Sequence, residues 1–167
     1  MQKTLLVATT AAALATGALA EATMSKKEIV GTFLGAVSQG DVDTIRALAN
    51  PDYIQHNPFI LTGLEPFIEL LPVLAEAGTT AENVRMFQDG NFVFMHNIWR
   101  NAEPFGAPEM VAFDIIRVDE NGRVAEHWDA LQPLVSETVS GRTQTDGPTE
   151  ATDLDQTEAN KALAVAL

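Results

Sequence analysis

The spacing of the apolar residues changes at Gly78, and this change limits the chain to a small set of folds. Before Gly78 the apolar residues recur every three or four positions, which is typical of amphipathic helices. After it they alternate, most clearly over residues 91–101, which is typical of strands. Helices followed by a run of strands form an α+β protein, because the helices collect on one face of an antiparallel sheet. We therefore predict an α+β fold with three helices ahead of the sheet.

Local signals define the first two helices. The first opens at Ser25, whose spacing to Glu28 forms a capping box, and it stops at Gly40. Asp41 caps a shorter second helix. This helix is expected to end before Pro51, because the residue ahead of a proline disfavours helical geometry.

A polar loop over residues 53–58 leads past Gly63 to the third helix. Pro66 fits the first turn of that helix. Pro72 lies in its interior and is expected to kink or split it, because proline lacks the amide hydrogen. Strands are predicted at residues 81–88, 91–101, 109–119 and 123–131, the last two joined by a tight turn at Asn121-Gly122.

Residues 1–20 have the composition of an export signal. Lys3 supplies the positive charge, residues 5–14 are mostly apolar, and Ala18 and Ala20 form a small-x-small cleavage site. The apolar stretch is shorter than the roughly 20 residues that a membrane-spanning helix needs. We predict cleavage after Ala20 and a periplasmic or secreted protein.

The rest of the chain divides after residue 135. Residues 21–135 hold every predicted helix and strand named above and form the predicted folded domain. Residues 136–167 are acidic and rich in Thr and Gly, as in a solvated linker, and Asp153 with Gln156 could cap one last helix. Two interpretations of this segment stay open: a tail with a docking helix, or the beginning of a truncated second domain.

Charge and residue types exclude several classes of function. The formal net charge is −13, so the surface repels nucleic acid and anionic membranes. The chain has no cysteine, which excludes disulfides, thiolate metal sites and cysteine nucleophiles. It also has no glycine-rich phosphate loop, no nucleophile elbow and no helical zinc-protease motif. Histidines and aspartates remain as the candidates for chemistry.

The hairpin of the last two strands carries the main candidates, Asp114, His127 and Asp129. His127 and Asp129 are two positions apart on one strand, so their side chains share a face. If Asn121-Gly122 alone forms the loop, Asp114 lies opposite Asp129, and if the loop spans residues 119–122, Asp114 lies opposite His127. Either register puts all three on one face, whereas a three-residue loop with a glycine bulge would separate them.

The environment of this cluster favours acid–base chemistry. Asp114 alternates with Ala112, Ile116 and Val118, so we expect it to point into the interior. Burial raises the pKa of a carboxyl group and a neighbouring imidazole can share its proton, which is how a general acid or base is tuned near neutral pH. The alternative is a structural role, in which these side chains satisfy buried backbone groups.

Two further uses of the histidines and aspartates are considered. Imidazole and carboxylate groups could bind a divalent metal, but their spacing matches no compact ligand motif, so we predict neither a metal nor another cofactor. His96 alternates with Phe92 and Phe94, which favours a hydrogen-bonded core histidine over a ligand-binding one. We keep His96 among the candidate substrate-binding residues.

Two segments of the chain carry a resemblance: the loop YIQHNP at residues 53–58 and the hairpin FDIIRVDENGRVAEHWD at residues 113–129. Both are similar to the SnoaL-like proteins of the nuclear transport factor 2-like superfamily, which includes polyketide cyclases, ketosteroid isomerase and limonene epoxide hydrolase. The resemblance implies a cone, in which three N-terminal helices pack against a strongly curved antiparallel sheet around one deep pocket. It also implies pairing through the outer face of the sheet, so we expect a homodimer with Phe94, Trp99 and Phe113 as its apolar surface. Residues 146–150 and 157–162 further resemble a link into another copy of this domain.

The resemblance also implies roles for individual residues. The catalytic aspartate of the superfamily falls on Asp129, and the loop residues His56 and Asn57 would line the same pocket. His127 would orient Asp129 and Asp114 would complete the network. The other expected substrate-binding residues are Tyr53, His96 and Trp128.

We therefore predict an exported acid–base enzyme without a cofactor, acting on a small apolar carbonyl compound. Aldol-type cyclisation, isomerisation and hydrolysis all use such a site. The alternative is a non-catalytic periplasmic module that binds a small hydrophobic molecule, since one fold hosts many functions.

Overall fold

The computed structural model describes residues 24–166, so the predicted export signal lies outside the described residues. The elements are α1 (Lys26–Gln39), α2 (Val42–Leu48), β1 (Ala49–Gln55), α3 (Leu64–Ala77), β2 (Thr80–Asp89), β3 (Phe92–Arg100), β4 (Glu109–Val118), β5 (Val124–Pro133) and α4 (Thr157–Val165). The five strands form one sheet in the order β1-β5-β4-β3-β2. The pairings of β2 to β5 are antiparallel and only β1 runs parallel to its neighbour, which confirms the predicted α+β class.

The helix ends follow the predicted signals. The Ser25 hydroxyl accepts from the Glu28 amide at 3.3 Å, and the Glu28 carboxylate accepts from the Ser25 amide at 2.7 Å, so the capping box forms. Gly40 ends α1 with a φ of 65°, which favours glycine. The Asp41 carboxylate accepts from the Thr44 amide at 3.1 Å at the start of α2.

The third helix is not split at Pro72, so that part of the prediction is wrong. Helix α3 runs without interruption from Leu64 to Ala77 and keeps Phe67, Leu71 and Leu74 buried. An interior proline costs about 3 kcal/mol, whereas burying each large apolar side chain gains roughly 1.5–3 kcal/mol. The packed face therefore outweighs the lost backbone hydrogen bond.

Residues 49–55 form strand β1, where the sequence predicts the end of a helix and a polar loop. This strand pairs with β5 so that Gln55 lies beside His127. The pairing is irregular between Ala49 and Ile54, a stretch that contains Pro51, which has no amide hydrogen to donate. The sheet tolerates this interruption because β1 is an edge strand. Within the described residues there is no strand on its other side to which Pro51 would have to donate a hydrogen bond.

The core lies between the helices α1 and α3 and one face of the sheet, here called the inner face. Phe33 of α1 and Phe67 of α3 stack at 5.7 Å, and Met95 and Trp99 of β3 point toward them. Trp99 was expected on the outer face as part of a dimer surface, and the structure places it on the inner face instead. The outer face carries Phe113 and the other residues that alternate with the inner ones.

The hairpin of β4 and β5 has neither turn that would unite the candidate residues directly, and it has the three-residue loop instead. The Asp119 amide donates to the Arg123 carbonyl at 2.8 Å, which leaves the three-residue loop 120–122 with Gly122 at a φ of 74°. This loop alone would separate the candidate residues. Ala125 is then an extra residue on β5, and this bulge restores the alternation so that Asp114 lies opposite Asp129.

The acidic tail packs back on the domain. The Arg85 guanidinium donates from Nη2 to the carbonyls of Thr145 at 2.7 Å and Asp146 at 3.0 Å. Helix α4 contacts the end of β2 through Lys161 and Asp89, whose charged atoms lie 2.8 Å apart. The expected side-chain cap for this helix does not form, and the helix begins at Thr157 after a short turn. None of the helices within residues 24–166 is long and apolar enough to span a bilayer.

Candidate functional site

An inner pocket of about 50 Å³ lies between α1, α3 and the inner face of β3, β4 and β5. A wider cleft of about 570 Å³ adjoins it, which is within the range of roughly 300–1,000 Å³ that is typical of small-molecule sites. The residues that line both are Ile60, Leu70, Phe105, Asp129 and Leu131. Asp129 is the only polar member of this shared set, so it stands where a molecule in the cleft would reach the inner pocket.

Asp114 is buried on the inner face of β4, with 5% of its surface exposed. Its Oδ2 accepts from Asn97 Nδ2 at 2.6 Å, and its Oδ1 lies 3.1 Å from His127 Nε2. The side-chain oxygen of Asn97, Oδ1, in turn accepts from Asn83 Nδ2 at 2.8 Å. Both carboxylate oxygens of Asp114 are therefore engaged within the protein, and the predicted inward orientation is confirmed.

His127 is held from both sides. Its Nε2 faces Asp114, and its Nδ1 lies 3.1 Å from Gln55 Nε2. Gln55 comes from β1, the strand that lies parallel to β5, and it is 6% exposed. Because two buried side chains fix the ring, His127 cannot rotate without breaking a hydrogen bond.

Asp129 is less constrained than Asp114. Asn57 Nδ2 lies 2.9 Å from each of its oxygens, and this is its only hydrogen-bond donor among the described residues. The side-chain oxygen of Asn57, Oδ1, accepts from the Phe59 backbone amide at 2.8 Å. This bond fixes the orientation of the Asn57 side-chain amide. Burial raises the pKa of Asp129 and the negative charge of Asp114 raises it further, whereas Asn57 and His127 act in the opposite direction.

Tyr53 lies behind this network and is 2% exposed. Its hydroxyl is 3.2 Å from Gln55 Nε2. Burial, together with the negative charges of Asp129 and Asp114, raises the pKa of Tyr53, so the phenol stays neutral. Tyr53 thus supports Gln55 and is not among the residues that line the inner pocket or the cleft.

The structure does not bring four of the predicted site residues to the pocket: Tyr53, His56, His96 and Trp128. His56 stacks on Trp128 at 4.7 Å on the outer face, and its Nε2 lies 2.8 Å from a Glu126 oxygen. His96 stacks on Phe113 at 4.1 Å, also on the outer face. Side chains alternate between the two faces along β5 and along the end of β1. Because Asn57 and Asp129 point inward, their neighbours His56 and Trp128 point outward.

The contacts of His96 favour a structural role for this residue. Its Nδ1 lies 3.1 Å from Arg85 Nη1, beside the tail that Arg85 also binds. Burial lowers the pKa of His96 and the positive charge of Arg85 lowers it further. A neutral, buried imidazole packed on an aromatic ring fits the core alternative stated for this residue.

Gln55 and Asn97 belong to the site although the sequence analysis assigned them no role. Each had a signal in the sequence. Asn97 is the polar member of the apolar face of β3, and Gln55 shares the period of two that links Tyr53 to Asn57. The second signal lies in a segment whose polar residues predict a loop.

A possible metal position coincides with the same cluster. One ligand atom each from Asp114, His127 and Asp129 lies within 4.8 Å of the others, which is close enough to surround a cation. The second nitrogen of His127, however, faces an amide NH₂ group, whereas metal-bound histidines usually donate from that nitrogen to an acceptor. The predicted absence of a metal stays a prediction.

Comparison with known proteins gives the family. Residues 30–127, more than half of the chain, match the SnoaL-like domain. No curated protein sequence matches the chain.

Among solved structures, IdmH from Streptomyces antibioticus, a proposed polyketide cyclase, aligns with a TM-score of 0.53 and 22% identity over 65% of this chain and 92% of IdmH. An LEH-like epoxide hydrolase from M. tuberculosis aligns with a TM-score of 0.52 and 19% identity, over 64% of this chain and 82% of that one. An NTF2-like protein of unknown function from Cytophaga hutchinsonii aligns with a TM-score of 0.57 and 14% identity, over 68% and 95%. At these identities the structural similarity shows a shared fold, and it does not show which activity the chain has. On the strength of the matched domain, the chain belongs to the SnoaL-like family and has the nuclear transport factor 2-like fold.

Proposed function

We propose that the protein is an acid–base enzyme without a cofactor that acts on a small, mostly apolar carbonyl compound. The observation that carries this proposal is the position of Asp129. It is the one polar residue shared by the inner pocket and the cleft, and burial raises its pKa. A carboxylate with these properties is suited to take a proton from a carbon atom and return it.

The contrast between the two aspartates supports different roles for them. Each Asp114 oxygen is engaged by a different side chain, Asn97 or His127, so Asp114 is fixed in place and is the less available of the two carboxylates. Asp129 has a single donor and keeps lone pairs available on the pocket side. Asp129 therefore carries the proton, and Asp114 orients His127.

Removal of a proton next to a carbonyl group produces an enolate, whose oxygen needs hydrogen-bond donors. No lysine or arginine is among the residues that line the inner pocket or the cleft. Neutral N–H groups must supply this stabilisation, and Asn57, whose Nδ2 lies 2.9 Å from Asp129, is the candidate among them. His56, which the resemblance predicts in the pocket, is on the outer face and takes no part.

The shape and lining of the two spaces indicate the substrate class. The inner pocket is lined mostly by apolar side chains such as Phe33, Met95 and Trp99. The cleft accepts a larger body, so the substrate would place a compact reacting end at Asp129 and the remainder in the cleft. Aldol-type cyclisation, isomerisation and hydrolysis are the reactions that fit such a site. We also propose that the protein acts in the periplasm or outside the cell.

Exchange of carbon-bound hydrogen tests the proposal without knowledge of the natural substrate. The purified protein is incubated in D₂O with a panel of small apolar ketones, and deuterium incorporation is followed by mass spectrometry. Asp129→Asn should lower the exchange rate by roughly 10²- to 10⁴-fold, equivalent to about 3–5 kcal/mol of barrier. A parallel panel of epoxides and esters detects hydrolysis.

Asp52→Asn is the matched control, because Asp52 is an exposed aspartate on β1 that lines neither space. Its exchange rate should equal that of the wild type. Tight binding of panel compounds with neither exchange nor hydrolysis by the wild type would favour the non-catalytic binding module instead.

A further inference from the structure

We propose that Gln55 is a positioning residue that fixes which nitrogen of His127 carries the proton, and thereby keeps the Asp114–His127–Asp129 cluster available for acid–base chemistry and closed to metal ions. The catalytic consequence rests on the proposed function. The tautomer and the exclusion of metal do not, and they can be measured separately.

The orientation of the Gln55 amide is defined by its neighbours. The backbone amide of Asn57 points at Gln55 Oε1 at 3.0 Å, and a backbone N–H can only donate. The atom that faces it must therefore be the oxygen. Gln55 Nε2 is left facing the Tyr53 hydroxyl at 3.2 Å and His127 Nδ1 at 3.1 Å, and it can donate one hydrogen to each.

The state of His127 follows from this orientation. An amide nitrogen is not an acceptor, so Nδ1 of His127 must accept and carries no proton. The ring proton is then on Nε2, which lies 3.1 Å from Asp114 Oδ1. The other Asp114 oxygen accepts from Asn97, which leaves Oδ1 as the natural acceptor for that proton. Only with this tautomer do both ring nitrogens of His127 meet a complementary partner.

The same arrangement opposes a metal ion. A cation between Asp114, His127 and Asp129 would need the Nε2 lone pair, and the ring proton would move to Nδ1. It would then face the NH₂ group of Gln55 at 3.1 Å, donor against donor. Rotation of the Gln55 amide would relieve this contact but would set NH₂ against the Asn57 amide. Either way one buried donor is left without an acceptor.

The first test is the tautomer of wild-type His127, read from the ¹⁵N chemical shifts and the coupling pattern of the imidazole rings. The chain has three histidines, so His127→Gln identifies the relevant signals. We expect a protonated Nε2 and an unprotonated Nδ1. A wild-type ring with its proton on Nδ1 would overturn the proposal, and this readout needs no variant at position 55 to fold.

The second test uses Gln55→Glu, which keeps the shape of the side chain. Its carboxylate can accept from the Asn57 amide and from a proton on His127 Nδ1, so the tautomer should reverse. Nε2 would then present a lone pair to Asp114 and Asp129, and a carboxylate behind a histidine favours metal binding. Calorimetric titration with Zn²⁺ should show binding at least 10- to 100-fold tighter than to the wild type, with one ion per chain.

Gln132→Glu is the matched control, because it adds the same charge at an exposed position on the outer face of β5. It should bind Zn²⁺ no better than the wild type, and Asp114→Asn in the Gln55→Glu background should abolish the gain. Equal Zn²⁺ affinity of the wild type and Gln55→Glu, or an unchanged tautomer in the variant, would refute the role of Gln55. If the tautomer results hold while Asp129→Asn leaves deuterium exchange unchanged, the proposed function fails and the present inference survives.

Discussion

Replacing each of the two clustered aspartates by asparagine should change stability in different ways. The Asp114 oxygens accept one hydrogen bond each, from Asn97 and from His127. Asparagine has one acceptor oxygen, so its NH₂ group would meet one of these two donors. Because a hydrogen bond to a charged group contributes about 1.5–3 kcal/mol, we expect Asp114→Asn to lower the free energy of unfolding by that amount at pH 7.

Asp129→Asn should lose little or nothing. The single donor, Asn57 Nδ2, can bond to the oxygen of an asparagine. Burial raises the pKa of Asp129, so the folded state binds the proton more tightly than the unfolded state does. Its contribution to wild-type stability is present below the unfolded pKa and is lost as the pH rises through the folded pKa. The variant lacks this loss and should equal or exceed the wild type in stability at pH 7.

Urea unfolding followed by tryptophan fluorescence measures both variants. The series should run from pH 7 to about pH 4, near the ordinary pKa of an aspartate. The difference between Asp129→Asn and the wild type should shrink as the pH falls, because the wild-type carboxyl becomes neutral. The reasoning is refuted if Asp129→Asn is destabilised as much as Asp114→Asn, or if its difference from the wild type is the same at every pH.

Three further predictions concern the tail, the assembly and the N-terminus. Arg85→Ala should accelerate amide hydrogen exchange over residues 134–150, because the two carbonyls it binds are released, whereas Arg100→Ala should not. We propose a homodimer through the outer face, where Phe113 is 56% exposed. Light scattering should give a dimer mass that Phe113→Glu reduces, and a monomeric wild type would contradict this. Intact-mass analysis of exported protein should show a chain that begins at Glu21, and an uncleaved chain would disprove the signal.

The local sequence determined the elements whose signals are contained within a few residues. The capping box at Ser25 and the stop at Gly40 act over one helical turn, and the structure has both. The alternation in residues 109–119 indicated that Asp114 faces the interior, because a strand repeats every two residues whatever its partner is. The α+β class follows from the order of such local elements.

The tertiary structure decided the pairings between distant residues. Strand β1 contains Asn50-Pro51, which opposes a strand assignment, and it forms because β5 offers it a free edge some 70 residues later in the chain. This pairing turns Gln55 and Asn57 inward and His56 outward. Without it, a polar loop gives no means of choosing which side chain enters the pocket.

The register of the last hairpin shows the same limit most sharply. A shift of one residue moves every side chain of a strand to the other face. The sequence is compatible with two loops that bring Asp114, His127 and Asp129 to one face and with a three-residue loop that separates them. The chain uses the separating loop and then corrects it with a bulge at Ala125. A bulge depends on packing against the neighbouring strands and helices, so the sequence alone named Asp114, His127 and Asp129, while only the folded sheet could bring them together.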